Sequence, residues 1–470
     1  MWWFILREAP TRRGRRQVPP WSVPVPICMN GYTVRNRCGD QPWVLWRGAE
    51  PPWSVLPEPT RGIIIGVLSH LLHRTADHKY LLCSTGTAAM HDVVVVGAGP
   101  CGTAAARACA EQGLSTLCIE EHGTIGHPVQ CAGLLSTAAF QVCRVSRRVI
   151  LATMKGAIVY DSAGIPLTID AGEPKAHVVD RGMLDREMAD AAARAGVEFL
   201  LKTAVCGLSG DAVLTRGASG RKEIPFRLLV AADGVRSPIA RMRGFPRPRM
   251  VLAALQAEVP FQGDQDMVGI FPDASPDFFG WVIPAGKERA RVGLAGCSDV
   301  KERFDRFLGE HGGSCLDLVS GAIPMGPAER TYGHRTLLVG DAAGLVKPTS
   351  GGGIYTGVRS ALHAAAVVAE CCEQGSFRDR DLAAYERRWK EDFGRELEIG
   401  WHLLRIRQQM TTEEMDAVLA ALRDPEITEI IVRQGDMDRP AALARRLVSN
   451  PRVIRAAGIL VRSGIRTILK

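Results

Sequence analysis

The glycines Gly97, Gly99 and Gly102 have the G-x-G-x-x-G spacing that can hold the pyrophosphate of a dinucleotide. The first glycine makes a tight turn, the second lets the backbone approach the phosphates, and the third lets a helix pack closely on a strand. Glu120 follows at a spacing from which a carboxylate can accept hydrogen bonds from a ribose. The glycine motif alone is weak evidence, because a glycine-rich turn in another α/β protein would have the same residues.

The elements predicted around these residues strengthen the case. Residues 93–96 are four valines, a run typical of a strand that is buried on both faces. The alanine-rich residues 103–112 predict a helix, whose N-terminal N–H groups favour a bound phosphate. A second strand is predicted over residues 115–119 and ends at Glu120. Motif, helix and strands in this order predict a dinucleotide-binding α/β unit.

Two later segments indicate which dinucleotide binds. Asp233 and Gly234 close a predicted buried strand, and Gly340 and Asp341 close another. Both segments resemble the second and third fingerprints of FAD-binding oxidoreductases of the glutathione-reductase superfamily, which favours FAD over NAD. Asp341 offers an acceptor to a ribityl chain or ribose, and the glycines at 351–353 expose backbone N–H groups where a helix begins. Ordinary strand-end turns are the alternative interpretation of these segments.

Two further motifs narrow the resemblance. Residues 128–133 read Pro-Val-Gln-Cys-Ala-Gly, and residues 279–284 read Phe-Gly-Trp-Val-Ile-Pro. Together with the fingerprints, and in the same order along residues 90–390, they resemble the geranylgeranyl reductase family, in particular its archaeal digeranylgeranylglycerophospholipid reductases. These are FAD enzymes that saturate the double bonds of isoprenoid chains, so the resemblance implies FAD as cofactor and an isoprenoid lipid as substrate.

The resemblance also implies a set of contacts to the flavin cofactor, in addition to Gly97, Gly99, Gly102 and Asp233. These contacts fall on Cys101, Glu120, Cys131, Ala132, Leu134, Arg181, Val205, Asp341, Gly353 and Ile354.

Cys131 and Trp281 are the predicted catalytic residues. Cys131 would line the flavin face and orient or protonate the substrate, although a buried cysteine is often only a small apolar residue. Trp281 and Phe279 would flank an apolar channel for the isoprenoid tail, and the alternative for Trp281 is plain sheet core. The family commonly has Tyr-x-Trp-x-Phe-Pro here, so Phe279 and Ile283 depart from its pattern and a role for a hydroxyl at position 279 is in doubt.

Other functions fit parts of the same sequence. The motif at residues 279–284 also resembles the Trp-x-Trp-x-Ile-Pro of flavin-dependent halogenases, with its first tryptophan missing. A flavin monooxygenase or halogenase of the same fold is therefore the main alternative, followed by a chlorophyll-type geranylgeranyl reductase. A flavin-binding protein without catalytic activity is the alternative from another class. The electron donor stays open between ferredoxin, a deazaflavin and a nicotinamide, and the lack of a second nucleotide fingerprint favours a protein donor or a small donor that binds transiently.

The predicted fold class is α/β: a Rossmann-like FAD-binding domain with an inserted antiparallel-sheet substrate domain and a helical C-terminal region. Mostly alternating apolar residues over 251–296 predict the antiparallel sheet. The predicted bounds are 90–155, 176–247 and 326–382 for the FAD-binding domain, 156–175 and 248–325 for the substrate domain, and 383–470 for the helical region.

Residues 1–89 differ in composition from the rest of the chain. They are rich in proline, arginine and tryptophan, and they carry a net charge of +6 out of +8 for all 470 residues. We expect this segment to be disordered or to lie outside the working protein. Since the remainder is nearly neutral, the basic isoelectric point does not indicate a nucleic-acid partner.

Three further features of the sequence indicate where in the cell the protein is found. The longest apolar stretch, residues 62–72, is shorter than the roughly 18 residues that a membrane-spanning helix needs. The thirteen cysteines form no CxxC pair and no Cys/His cluster with metal-ligand spacing, so we expect reduced thiols, no metal site and a cytoplasmic protein. Residues 439–470 contain eight Lys/Arg and no Asp/Glu among apolar residues, which indicates either a solvated helical hairpin or peripheral contact with an anionic membrane.

Overall fold

The computed structural model describes residues 90–450. The predictions made for residues 1–89 and for the end of the basic stretch, residues 451–470, concern residues outside this range.

The strands form three sheets. In chain order they are β1 His91–Val96, β2 Thr116–Ile119, β3 Leu134–Ser136, β4 Ile150–Met154, β5 Gly156–Tyr160, β6 Pro166–Asp170, β7 Ala176–Val179, β8 Glu198–Leu200, β9 Thr203–Ser209, β10 Ala212–Gly217, β11 Gly220–Ala231, β12 Met250–Pro260, β13 Met267–Phe271, β14 Gly280–Pro284, β15 Arg289–Gly296, β16 Asp317–Met325, β17 Tyr332–Gly333 and β18 Thr336–Leu338.

Most of the helices cover the first sheet or form the C-terminal region, and one helix, Val300–His311, packs on strands β12 and β15. The helices are α1 Pro100–Glu111, α2 Thr137–Cys143, α3 Arg181–Arg194, α4 Pro238–Met242, α5 Val300–His311, α6 Ile354–Gln374, α7 Asp379–Trp389, α8 Arg395–Arg407, α9 Thr412–Leu422, α10 Pro425–Gln434 and α11 Pro440–Val448. A π-helical segment, Lys390–Gly394, joins α7 to α8. No helix within residues 90–450 combines the length and apolar character needed to cross a bilayer.

The first sheet has the strand order β17-β18-β11-β1-β2-β8, with β9 and β10 attached beside β11. Strands β18, β11, β1, β2 and β8 run parallel, so their carboxyl ends meet at one edge. The four valines of β1 are fully buried or nearly so, as a strand covered on both faces requires. Ligands of open parallel sheets bind at the carboxyl edge, which is where the glycine motif lies.

The sequence alone predicts one strand over residues 197–205, but the structure has two strands here, β8 and β9. The chain turns at Lys202, whose φ of 51° lies in the left-handed region and whose N–H bonds to the His122 carbonyl. Strand β8 therefore stays in the parallel sheet, while β9 enters an antiparallel ribbon with β10. Apolar residues lie on both sides of this turn, and so the sequence did not reveal the break.

The second sheet has the order β16-β12-β15-β14-β13-β5-β6 and is antiparallel except between β13 and β5. Strands β5 and β6, far from the others in sequence, join it as neighbours. A third, smaller sheet has the strand order β3-β7-β4. The α/β class with its antiparallel sheet and helical C-terminal region is thus confirmed.

Candidate active site

The glycine turn after β1 has the geometry that a phosphate site requires. A side chain at Gly97 would place its Cβ 2.3 Å from the Ala232 carbonyl oxygen, and one at Gly102 would lie 1.8 Å from the Gly97 oxygen. Both positions therefore exclude any larger residue. A Cβ at Gly99 would meet no atom within 4 Å. The middle glycine consequently leaves open space beside the start of α1, where a pyrophosphate would be held by backbone N–H groups.

Glu120 lies at this turn, as the motif predicts. Its Oε2 accepts a hydrogen bond from the N–H of Ala98 at 2.8 Å, and its Oε1 accepts one from the N–H of His122 at 2.9 Å. The carboxylate thereby fixes the turn itself. A contact with the cofactor ribose stays a prediction.

Cys101 connects the first and third fingerprints. Its sulfur lies 2.6 Å from a Cβ placed at Gly340 and 2.4 Å from one placed at Gly357, so both glycines are required for this packing. Burial raises the pKa of the Cys101 thiol, and the charge of Asp341 raises it further. Cys101 is therefore a neutral packing residue that brings α1, the Asp341 turn and α6 together.

Asp341 lies under the N-terminus of α6. Its Oδ1 is 2.9 Å from a Cβ placed at Gly353, the residue that precedes Ile354. Burial raises the pKa of Asp341 from 3.8 to about 6, and the positive charge of Arg181 opposes that rise. A carboxyl group that titrates near neutrality can both donate and accept hydrogen bonds, which suits contact with the hydroxyls of a ribityl chain.

Arg181 is the first residue of α3. Its guanidinium binds the carboxylate of Asp185 through two hydrogen bonds of 3.1 Å from Nη2 and one of 3.2 Å from Nε. Both side chains are nearly buried, and burial raises the pKa of Asp185 while Arg181 opposes the rise. The same guanidinium lies beside the sulfur of Cys131 and close to Asp341.

The loop that contains Cys131 is fixed by a second buried arginine. Arg291, 9% exposed, donates from Nη1 to the carbonyl oxygens of Ala132 at 2.6 Å and Val179 at 3.3 Å. The N–H of Gly133 bonds to the Cys131 sulfur at 3.3 Å. Burial lowers the pKa of Arg291, and the charges of Glu258 and Asp180 oppose that change. Cys131 is thus flanked by two guanidinium groups from different elements.

The aromatic motif on β14 faces this loop. Phe279 stacks on Phe278 with ring centroids 4.0 Å apart and meets Trp281 edge-on at 6.3 Å. The Trp281 indole N–H donates to Gln256 Oε1 at 3.0 Å. One apolar cluster contains these rings together with Ala132 and Leu134 of the loop. The structure therefore brings the predicted flavin loop and the predicted substrate channel together.

Two predicted cofactor residues are engaged elsewhere. Asp233 accepts hydrogen bonds from the hydroxyl of Ser237 at 2.6 Å and the N–H of Ile239 at 3.0 Å, so its carboxylate holds the start of α4. Its backbone N–H lies 3.2 Å from a Cβ placed at Gly97, which puts the segment beside the glycine turn. Val205 lies in β9 and packs on the core of the first sheet. Their contacts with the cofactor stay predictions.

Several residues of this site were missed in the sequence. Arg291 lies two residues after Arg289 at the start of a strand that is apolar from Val292 on, where an arginine is expected to point to solvent. Trp401 of α8 joins the same apolar cluster as Trp281, and Gln256 orients the indole. These contacts link segments that are far apart in the chain, and no spacing within one segment could indicate them.

The comparisons with known proteins agree with this geometry. A family model described as an FAD-binding domain matches residues 90–305. Digeranylgeranylglycerophospholipid reductase 2 of Methanothermobacter thermautotrophicus is 33% identical over 366 residues, which cover 72% of this chain and 94% of that protein. The chain belongs to the digeranylgeranylglycerophospholipid reductase family. The reductase of that name from Methanocaldococcus jannaschii is 32% identical, with 71% of this chain and 90% of that protein covered.

Solved structures share the fold. A geranylgeranyl bacteriochlorophyll reductase-like protein of Thermoplasma acidophilum has a TM-score of 0.71 at 26% identity, with 79% of this chain and 99% of that chain covered. A flavin-dependent brominase has a TM-score of 0.62 at 17% identity, with 81% and 100% covered, and shows the fold alone. Membership of the digeranylgeranylglycerophospholipid reductase family and the FAD-binding match confirm FAD as cofactor and make the chain a flavin-dependent reductase.

Proposed function

We propose that this chain saturates the double bonds of geranylgeranyl chains carried by archaeal membrane phospholipids. One observation supports the proposal most: the cysteine loop and the aromatic strand β14 share a single apolar cluster beside the cofactor fingerprints. Two relatives that this chain matches over nearly their full length are named for this lipid. An apolar wall is what a hydrocarbon substrate requires.

The reaction needs a hydride and a proton at the two carbons of an isolated double bond. The bound flavin, once reduced, supplies the hydride. The protein has to hold the chain in place, exclude water and deliver the proton. Phe279 and Trp281 provide the apolar surface for the first two tasks. The indole N–H of Trp281 is already donated to Gln256, so Trp281 acts as a wall and not as a proton donor.

Cys131 is the proposed proton donor. It is partly exposed within the loop, and its sulfur can transfer a proton to the substrate carbon that does not receive the hydride. Water then returns a proton to the Cys131 sulfur. The thiol is thereby restored, and the bound flavin would supply the two electrons that turn the alkene into an alkane.

We also propose a peripheral contact with anionic lipid through the basic C-terminal stretch. Helix α11 packs Ala441 and Ala444 against Ile399 of α8, which leaves Arg445 and Arg446 exposed. Such a surface would place the protein near its lipid substrate. The electron donor, whether ferredoxin, deazaflavin or nicotinamide, is the other expected partner.

Anaerobic reoxidation tests the proposed function against oxygen chemistry. The full chain, loaded with FAD and reduced with dithionite, is mixed with digeranylgeranylglycerophospholipid in the absence of oxygen. Recovery of the oxidised flavin spectrum on adding lipid supports the reductase. Flavin that stays reduced until air is admitted would support a monooxygenase or halogenase instead. A chlorophyll-type preference would appear as faster reoxidation with a geranylgeranylated pigment.

A further inference from the structure

Asp438, in the turn between α10 and α11, binds two separate parts of the FAD-binding region. It is 3% exposed. Its Oδ1 pairs with the ammonium group of Lys347, and its Oδ2 accepts a hydrogen bond from the hydroxyl of Ser136. Lys347 and Ser136 are buried as well. One carboxylate of the helical region thus holds two segments that are distant in sequence.

The Ser136 side of this contact adjoins the loop over the cofactor. Ser136 ends β3, which begins at Leu134, a predicted flavin contact. Its hydroxyl oxygen also accepts a hydrogen bond from the N–H of Ala139 at 2.9 Å and caps α2. A shift of Ser136 would therefore move the end of the loop that contains Cys131.

The Lys347 side supports the glycine segment before α6. The Lys347 ammonium also donates to the Met437 carbonyl oxygen at 3.0 Å. Its Cε lies 3.2 Å from a Cβ placed at Gly352, and its backbone bonds to Gly351 at 2.9 Å and to Gly352 at 3.2 Å. Lys347 thus supports the glycines at 351–352, which precede the N-terminus of α6.

The charges make this arrangement specific. Removing one partner of a buried ion pair leaves the other charge uncompensated, so each partner is satisfied only when the segment at 437–438 is docked. An apolar contact would tolerate sliding of the helical region, whereas this pair fixes one position. Both segments that flank the cofactor are held in that position at once.

We propose that Asp438 is a positioning residue for FAD: the docked C-terminal region holds the cysteine loop and the glycine segment around the cofactor, and the rate of FAD release depends on this contact. Asp438 acts through Ser136 and Lys347. The inference rests on FAD binding and is independent of which lipid is reduced.

The test measures FAD release from the full-length holoprotein, as flavin fluorescence gained after dilution, well below the unfolding temperature. Asp438→Asn and Lys347→Met should each release FAD at least about tenfold faster, a change that requires only about 1.4 kcal/mol. The double variant should be little faster than the faster single variant, because both remove the same interaction. Ile427→Ala is the matched control, since it removes buried packing from α10 without touching the contact.

The rates of FAD release distinguish a positioning role of Asp438 from a purely structural one. Unchanged release in Asp438→Asn, or equal acceleration in Ile427→Ala, would overturn the proposal, because the region would then only stabilise the fold. If Asp438→Asn does not fold, Ser136→Ala is compared with Thr411→Ala, which removes the equivalent cap from α9. Faster FAD release in Ser136→Ala alone supports the proposal, and equal rates contradict it. Failure of lipid reduction with normal FAD release would count only against the proposed function.

Discussion

The Nη1 atom of Arg291 lies 2.6 Å from the carbonyl oxygen of Ala132, and this contact joins strand β15 to the loop beside Cys131. The strand belongs to the sheet that carries Trp281, and the loop contains the predicted flavin contacts Cys131 and Ala132. The substrate wall and the proposed proton donor are therefore held together by one buried side chain. Within residues 90–450 Arg291 forms no ion pair with a carboxylate, and its guanidinium donates instead to the carbonyl oxygens of Ala132 and Val179.

Replacing Arg291 should impair the reaction without removing the cofactor. Arg291→Gln is expected to slow lipid-dependent flavin reoxidation by about tenfold or more, since it removes a charge-assisted hydrogen bond and a cation beside Cys131. Arg291→Lys should restore part of the rate, because it keeps the charge. Stopped-flow absorbance of the reduced holoenzyme measures this.

The control is Arg289→Gln, two residues earlier on the same strand, where the side chain is 58% exposed and pairs with Glu258. It should react at nearly the rate of the unchanged protein. Equal losses in both variants would show that Arg291 has no special role.

Cys131→Ala should retain FAD and lose most of its activity. General acid catalysis typically contributes about 10² to 10⁴ in rate, so single-turnover reoxidation by lipid should slow by at least about 10². Cys206→Ala, at an exposed cysteine of β9, is the matched control. A Cys131→Ala protein with full activity would dispose of the proposed proton transfer.

Asp341 gives the FAD-free protein a specific pH dependence. Its pKa is raised from 3.8 to about 6 by burial, so the folded state keeps this proton over a range in which the unfolded chain has lost it. Stability from this group is therefore complete below about pH 4 and decreases as the pH rises to about 6, by up to about 3 kcal/mol.

Asp341→Asn removes that titration. Urea unfolding of both proteins without FAD should show the variant gaining in relative free energy of unfolding between about pH 4 and pH 7. A difference that does not change with pH would contradict the buried carboxyl. With FAD added, the variant should bind more weakly if the carboxyl contacts the cofactor.

Membrane contact should depend on charge. The full chain should float with vesicles that contain anionic phospholipid and less with neutral ones, and added salt should weaken the binding. Replacing Arg445 and Arg446 together by glutamine should lower the affinity by about thirtyfold, at about 1 kcal/mol per basic residue. Arg433→Gln, at an exposed arginine paired with Glu429, is the control. Equal flotation with both vesicle types would rule out an electrostatic contact.

The sequence predicted most of what local patterns determine. The glycines, the strand after them and the acidic residue lie within one continuous segment, so their spacing alone placed the carboxyl edge of the sheet. The family motifs then identified Cys131 and Trp281 as candidate site residues on two separate segments. The contact between the apolar neighbours of Cys131 and the ring of Trp281 depends on the fold, and the motifs do not predict it.

The parts that the sequence did not reveal depend on long-range contacts. Nothing in the residues around Arg291 or Asp438 indicates that one reaches the cysteine loop and the other the glycine segment. The turn at Lys202 depends on a hydrogen bond to His122. For Asp233, the motif was found but the carboxylate holds α4, because a strand-end aspartate can serve a helix start as well as a cofactor.

The most direct test of the proposed function is the mass of the lipid product. The anaerobically reduced holoprotein would be incubated with digeranylgeranylglycerophospholipid and the lipid analysed by mass spectrometry. We predict a series of products that each gain two hydrogen atoms per saturated bond, in step with the amount of flavin oxidised. An unchanged lipid mass, together with flavin that is oxidised only by air, would contradict the assignment.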